Sequence, residues 1–224
     1  MKAPAPAESR SGGWSGLFLL CVLLIGLLCT SIPHSAPSSD SFEYFKMATG
    51  GISEAASPYR YRVLVPLFAR GIPGPVAQRF EAITLAALTG VLLLFCRMAR
   101  REKVAIHHVA VALAIVCCCP AFNFMLVNPW LTDAAGLFFI TLMAQSLMAG
   151  DRLNFSVAGF LGLLTRETVV FLFPALLILG GLLPWIAATI GAAIFLVPRL
   201  IFHPAGTAYL SHTGWAHGGV GWAR

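Results

Sequence analysis

"VAQRFEAITLAALTGVLLLFCRMARREK", residues 76–103, decides the class of this chain. Its apolar run, about 76–96, has the roughly 20-residue length at which a helix crosses a bilayer. It stops on a tight basic cluster, Arg97, Arg100, Arg101 and Lys103. Comparable apolar runs lie at Trp14–Ile32 and at about 104–120, 131–149, 168–183 and 184–202, with a shorter one at 155–165. Counting the short run predicts about seven crossings; omitting it predicts about six and moves the C-terminus to the other side. No internal repeat is evident.

Composition agrees. The 224 residues are 58% hydrophobic and 11% charged, with a mean hydropathy of +0.82, whereas soluble domains average roughly 25% charged residues. The expected fold class is all-α, a polytopic membrane helix bundle, in a chain with room for one bundle and no second domain. Residues 1–13, rich in Pro, Ala, Ser and Gly, read as a disordered cytoplasmic N-terminus. Residues 14–202 read as the transmembrane helical domain with an outer loop at 33–75, and 203–224 as a flexible tail. The first apolar run resembles the core of a signal peptide, but only a weak cleavage site follows and more spans come later, so it reads as a retained signal anchor.

A formal charge of +6 raises the question of nucleic acid, but no basic run is interleaved with aromatics in a soluble module. Arginines and lysines beside membrane helices have the simpler role of anchoring and orienting them. Of the six cysteines, Cys21, Cys29 and Cys96 lie in or at the end of apolar runs and Cys117, Cys118 and Cys119 are consecutive. That spacing matches no metal or redox motif, so they read as small apolar side chains.

Orientation follows from the charges. Lys2 and Arg10 precede the first helix and Asp40 and Glu43 follow it, which favours a cytoplasmic N-terminus and sets the Arg97–Lys103 cluster on the cytoplasmic side. Residues 33–75, the 121–130 loop, the Thr165–Arg166–Glu167 turn and the tail after His203 then fall outside. Arg60, Arg62, Arg70, Arg79, Arg166 and Arg199 fall on that outer side too, so the overall charge bias is weak. With inverted topology, Arg60, Arg62 and Arg70 of "SPYRYRVLVPLFAR" (57–70) would be ordinary anchors. In the favoured topology they need another partner, and the planar fork of arginine suits a phosphate. Pro58 and Pro66 bracket this segment, which reads as lying along the outer interface.

Carboxylates on the same side supply the complementary chemistry. In "SSDSFEYFKMATG", Asp40, Glu43, Tyr44 and Ala48 share one side of a helix. Asp40 is either an N-cap, forming with Glu43 an approximate capping box, or a general base within reach of a substrate hydroxyl. Asp133 in "NPWLTDAAG" heads an otherwise apolar helix, where either Thr132 or Asp133 could be a cap and an ionisable residue is otherwise a functional candidate. Arg166 and Glu167 interrupt an apolar stretch of about 30 residues, as a partly self-neutralising charged turn, with Arg166 beside the same phosphate, or as both together. His107 and His108 read as interfacial, and His212 and His217 as part of a solvated tail rather than metal ligands.

The ordered set Asp40–Tyr44–Ala48 after a first helix, "PYRYRVLVP", "TDAAGLFF" and "LTRETVVFLFPALL" resembles the bacterial C-type glycosyltransferase (GT-C) superfamily over roughly residues 14–202. The motifs are short, and their order and spacing carry the likeness. The resemblance implies a membrane enzyme that passes a sugar, with inversion, from a polyprenyl-phosphate-linked donor to an acceptor on the non-cytoplasmic side. It assigns the catalytic base to Asp40 with Glu43 in reserve, a second acid, sometimes linked to a divalent cation, to Asp133, and the carrier phosphate to Arg60, Arg62 and Arg166. Tyr44, Tyr59, Tyr61 and Trp130 are the candidate substrate contacts. Members of the superfamily are usually longer and often carry an outer domain. The competing expectation is a non-catalytic lipid-phosphate binder, flippase-like or an accessory subunit of an envelope polysaccharide system. No dinucleotide fingerprint, phosphate loop, zinc-protease motif or nucleophile elbow supports another enzyme class.

Overall fold

The structure is a computed structural model that describes residues 11–52, 55, 59–166, 168, 169, 185, 186, 189, 190 and 193. Most of the expected disordered N-terminus, the predicted runs at 168–183 and 184–202, and the 203–224 tail with His212 and His217 lie outside the described residues.

Among the described residues all regular structure is helical. The helices are α1 (Ser11–Ser31), α2 (Ser39–Thr49), α3 (Leu64–Gly71), α4 (Val76–Arg101), α5 (Ile106–Cys118), α6 (Pro120–Val127), α7 (Asp133–Ala149) and α8 (Arg152–Leu163), with a 3-10 turn at Tyr59–Tyr61. Helix α1 starts three residues before the apolar run, at Ser11 rather than Trp14.

Helix α4 is the frame. Its 26 residues extend about 39 Å at 1.5 Å per residue, and among the described residues it is the helix that by itself is long and apolar enough to cross a membrane. It begins after Pro73–Gly74–Pro75, where Gly74 takes φ +109, a backbone state that a side chain opposes. Its last turn carries Arg100 and Arg101, which complement the negative end of the helix dipole.

The run expected to cross at 104–120 and the loop expected at 121–130 are built differently. Helices α5 and α6 meet at a 55° bend, the geometry of a broken span or of a re-entrant loop. The cause is local. Pro120 cannot donate an N–H to continue α5 but is favoured at the first position of a new helix, and Cys119 before it is held extended. Residues 120–127 are therefore helical, and the loop expected at 121–130 shrinks to the segment before Asp133.

The short run at 155–165 also forms a helix, α8. Gly150 at φ +68 closes α7, its N–H reaching Leu147 O at 3.1 Å while the N–H of Asp151 reaches Ser146 O at 2.8 Å. That is the paired C-terminal closure that a left-handed glycine permits. Asp151 then caps α8 by accepting from the backbone N–H of Asn154 at 3.0 Å. This backbone bond, with a second from the Asn154 side chain, holds the Asp151 carboxyl below its usual range.

Helix α7 packs between α4 and α8, and α1 lies on α4. The main core joins residues of α1 to α7, including Ile25, Tyr44, Leu88, Val109 and Leu126, and a smaller cluster joins Met143, Phe155, Ala158 and Val169. Outside the core, α1 presents Leu19, Leu20, Leu23 and Leu27, each 58–62% exposed. The up-and-down path brings the ends of α1, α5–α6 and α8 and the starts of α4 and α7 together. Helices α2 and α3 cover that end, and the basic cluster after Cys96 sits at the other.

Candidate functional site

At the end covered by α2 and α3, three separate loops converge. The segment after α1 is tied to the end of α6 by the N–H of Ser35 donating to Val127 O at 2.9 Å, and by the Ser35 hydroxyl donating to Asn128 Oδ1 at 2.5 Å. Leu64 at the start of α3 donates its N–H to Leu164 O after α8, at 3.0 Å. Thr84 of α4, buried, donates its hydroxyl to Pro129 O at 2.7 Å. These bonds carry the acids and arginines of the sequence to one place.

The Asp40 side of the site is a chain of four groups. The Tyr59 hydroxyl donates to Asp40 Oδ1 at 2.7 Å, the Tyr59 and Tyr44 rings meet edge to face, and Arg62 Nη1 donates to the Tyr44 hydroxyl at 2.8 Å. Arg62 also lies over the Tyr59 ring, 5.8 Å from its centre. Burial, reinforced by the bond to Asp40, pushes the Tyr59 phenol far above its ordinary value, so it stays a neutral donor. Asp40 is half-buried and accepts a second, longer bond from Ser39 at 3.3 Å.

The capping alternative for Asp40 resolves locally. Helix α2 is capped by Ser38, whose hydroxyl accepts from the N–H of Ser41 at 3.4 Å, so Asp40 lies inside the first turn. Glu43 is paired with Lys46 one turn on, at 2.6 Å. That contact leaves Asp40 as the better placed of the two acids to accept a proton. Tyr44, expected to touch substrate, is 1% exposed and instead positions Arg62 from behind. Tyr61 is half-buried in the 3-10 turn, and the Arg60 side chain lies outside the described residues. Two other outer arginines hold carbonyls: Arg70 reaches Met47 O, and Arg79 reaches Gly74 O at 2.7 Å.

The second part of the site is the ion pair between Arg166 Nη1 and Asp133 Oδ1. Each side chain is somewhat more than a quarter exposed, at 29% and 26%. The sequence also offered Glu167 as a neighbour that partly neutralises Arg166; Glu167 lies outside the described residues, and among those described Asp133 is paired with Arg166. Gly136, one turn into α7, lies against the Arg166 stem, where an added Cβ would make ordinary van der Waals contact at 3.4 Å from Arg166 Cβ. Thr132 holds the cap position of α7 without a capping bond.

Trp130 is 7% exposed, packed edge-on against His34 and Phe45. Its Nε1 and the Thr132 hydroxyl are buried with no hydrogen-bond partner among the described residues. Sequence reasoning passed over His34 and Glu81, which meet at 3.3 Å beside Trp130. The signal for Glu81 was available, since an acid inside an apolar helix stands out. For His34 there was none, because its partner is 47 positions away. Among the described residues no three His, Cys, Asp or Glu side chains come together, and Asp133 is bonded to Arg166. This donor set does not fit a divalent cation.

Beside the charged groups lies an apolar cavity of about 330 Å³ between α3, α4 and α7, lined by Leu64, Val65, Phe68, Ile83, Ala135 and Phe138 among others. Leu64 and Ala135 of its lining stand two residues along the chain from Arg62 and Asp133. No protein-family model, curated protein or solved structure matches the chain.

Proposed function

We propose that this chain is a multi-pass inner-membrane protein of the GT-C kind, transferring a sugar from a polyprenyl-phosphate-linked donor to an acceptor at the non-cytoplasmic face. One observation carries the reading: acids and guanidiniums from three distant loops gather at one end of the bundle, Asp40 with Tyr59, Arg62 with Tyr44 and Asp133 with Arg166, beside an apolar cavity. The leucine face of α1 and the length of α4 suit a bilayer. In this reading α1, α4, the α5–α6 pair, α7 and α8 account for five crossings and the apolar runs at 168–183 and 184–202 for two more, the seven-crossing count; without the short α8 the count is six.

In this reaction an acceptor hydroxyl oxygen attacks the anomeric carbon and the carbon–oxygen bond to the carrier phosphate breaks. Asp40 takes the acceptor proton, and the phosphate leaves with the bond's electron pair, its charge met by Arg62 and Arg166. The isoprenoid chain lies toward the Leu64–Phe138 cavity. Asp40→Asn should lower transfer by at least about a hundredfold while polyprenyl-phosphate binding stays within about twofold. Transfer unaffected by this change would sink the enzyme reading.

A second reading, a lipid-phosphate binder without catalysis, is favoured by the engagement of both acids: Asp40 accepts from Tyr59 and Asp133 is paired with Arg166. It predicts that Arg62→Gln weakens binding and that Asp40→Asn changes nothing.

A further inference from the structure

The opposite end of the bundle carries a second cleft, unrelated to the one above. Trp14, Ser15 and Phe18 of α1 face Leu93, Cys96, Arg97 and Arg100 of α4 across a space of about 480 Å³. The α4 residues fall at offsets of zero, three, four and seven, one stripe of a helix. Apolar side chains come first along this stripe and the two arginines last. The cleft thus has an aromatic and aliphatic floor and a cationic mouth.

Topology alone accounts for a basic cluster at this position. It does not account for two of its arginines lining a cleft with an apolar floor. The positive end of the α1 dipole and the negative end of the α4 dipole meet here and largely offset each other, so the guanidiniums dominate the local field. Both are exposed, as are Arg101 and Lys103, and Glu102 is the one acid in the run.

We propose that this cleft binds one anionic phospholipid, its phosphate held by Arg97 and Arg100 and an acyl chain lying along Phe18 and Leu93. Charge complementarity selects the headgroup. The floor selects a lipid over a free anion, which would leave Phe18 and the half-exposed Leu93 unused. Trp14 belongs at such a boundary, where an amphipathic ring sits at headgroup depth. The inference rests on α1 and α4 lying in a bilayer and is independent of sugar transfer.

The test uses the full chain in phosphatidylcholine vesicles doped with brominated phosphatidylglycerol or with brominated phosphatidylcholine. The readout is the quenching of the fluorescence component that Trp14→Phe removes. A surface arginine favours an anionic headgroup by roughly fivefold, so two should give about a 25-fold preference for phosphatidylglycerol. Arg97→Gln with Arg100→Gln should abolish the preference, and the corresponding lysine pair should retain most of it, showing that the protein still folds. Leu93→Phe, which crowds the cleft and leaves the charges, should also reduce quenching. Equal quenching by both lipids, a preference that survives the glutamine pair, or quenching indifferent to Leu93→Phe would each overturn the proposal.

Discussion

Arg166 and Asp133 stand 33 positions apart and bond through Nη1 and Oδ1. Their partial exposure puts the pair between the surface case, worth about 1 kcal/mol or less, and the buried case, where breaking one partner costs about 3–5 kcal/mol. Asp133→Asn or Arg166→Met should therefore each destabilise by about 1–3 kcal/mol, and the double variant should recover about 1 kcal/mol of the sum. Unfolding in mixed micelles measures this, and strictly additive losses would mean that the pair does not form. Tyr59 makes a pH prediction. Its phenol is raised in the folded chain, first by burial and then by Asp40, so the stability linked to it is whole below the unfolded value near 10 and is lost as pH climbs toward the folded one. In ultraviolet titration Tyr59→Phe should leave the tyrosinate formed below about pH 11 unchanged, whereas a drop of one tyrosine equivalent would show that Tyr59 titrates normally.

The pairing of α4 with α7 depends on small residues. A Cβ at Gly90 would lie 2.7 Å from the Phe138 ring, so glycine is what lets the two helices approach. In lipid the hydrophobic effect does not drive helices together, and close packing of this kind takes its place. Gly90→Val should destabilise by about 1–3 kcal/mol and disturb the nearby cavity, because Phe138 lines it. Thermal unfolding in detergent checks the first outcome, and unchanged stability would mean that the ring turns aside freely. The elements themselves were largely legible in the sequence, since apolar runs bounded by Pro, Gly and charge mark helix ends. Helix α6 was not, because its apolar residues lie beyond a proline that reads as a stop. Pro120 both ends α5 and starts its successor.

At the scale of the molecule, the fold separates two ends: Asp40, Arg62, Asp133 and Arg166 gather at one, Arg97 and Arg100 lie at the other. In the proposed topology Ser39→Cys should react with an impermeant thiol reagent from the non-cytoplasmic side and Lys103→Cys from the cytoplasmic side. The reverse pattern would set the gathered site on the cytoplasmic face and end the proposed transfer at the non-cytoplasmic one. Which residues could belong to a site was readable from charge in an apolar chain, since each such charge needs a partner or a use. Which residues partner which was not. The bonds of Asp40 with Tyr59, Tyr44 with Arg62 and Asp133 with Arg166 span 19, 18 and 33 positions, and no local period encodes such distances. The sequence by itself determined the helical class and the apolar runs of the described residues, because hydropathy and helix length are local properties. Only the tertiary structure decided that Tyr44 is buried behind Arg62, that Asp133 engages Arg166, and that two arginines line a cleft, because helix crossing and loop closure choose which distant side chains meet.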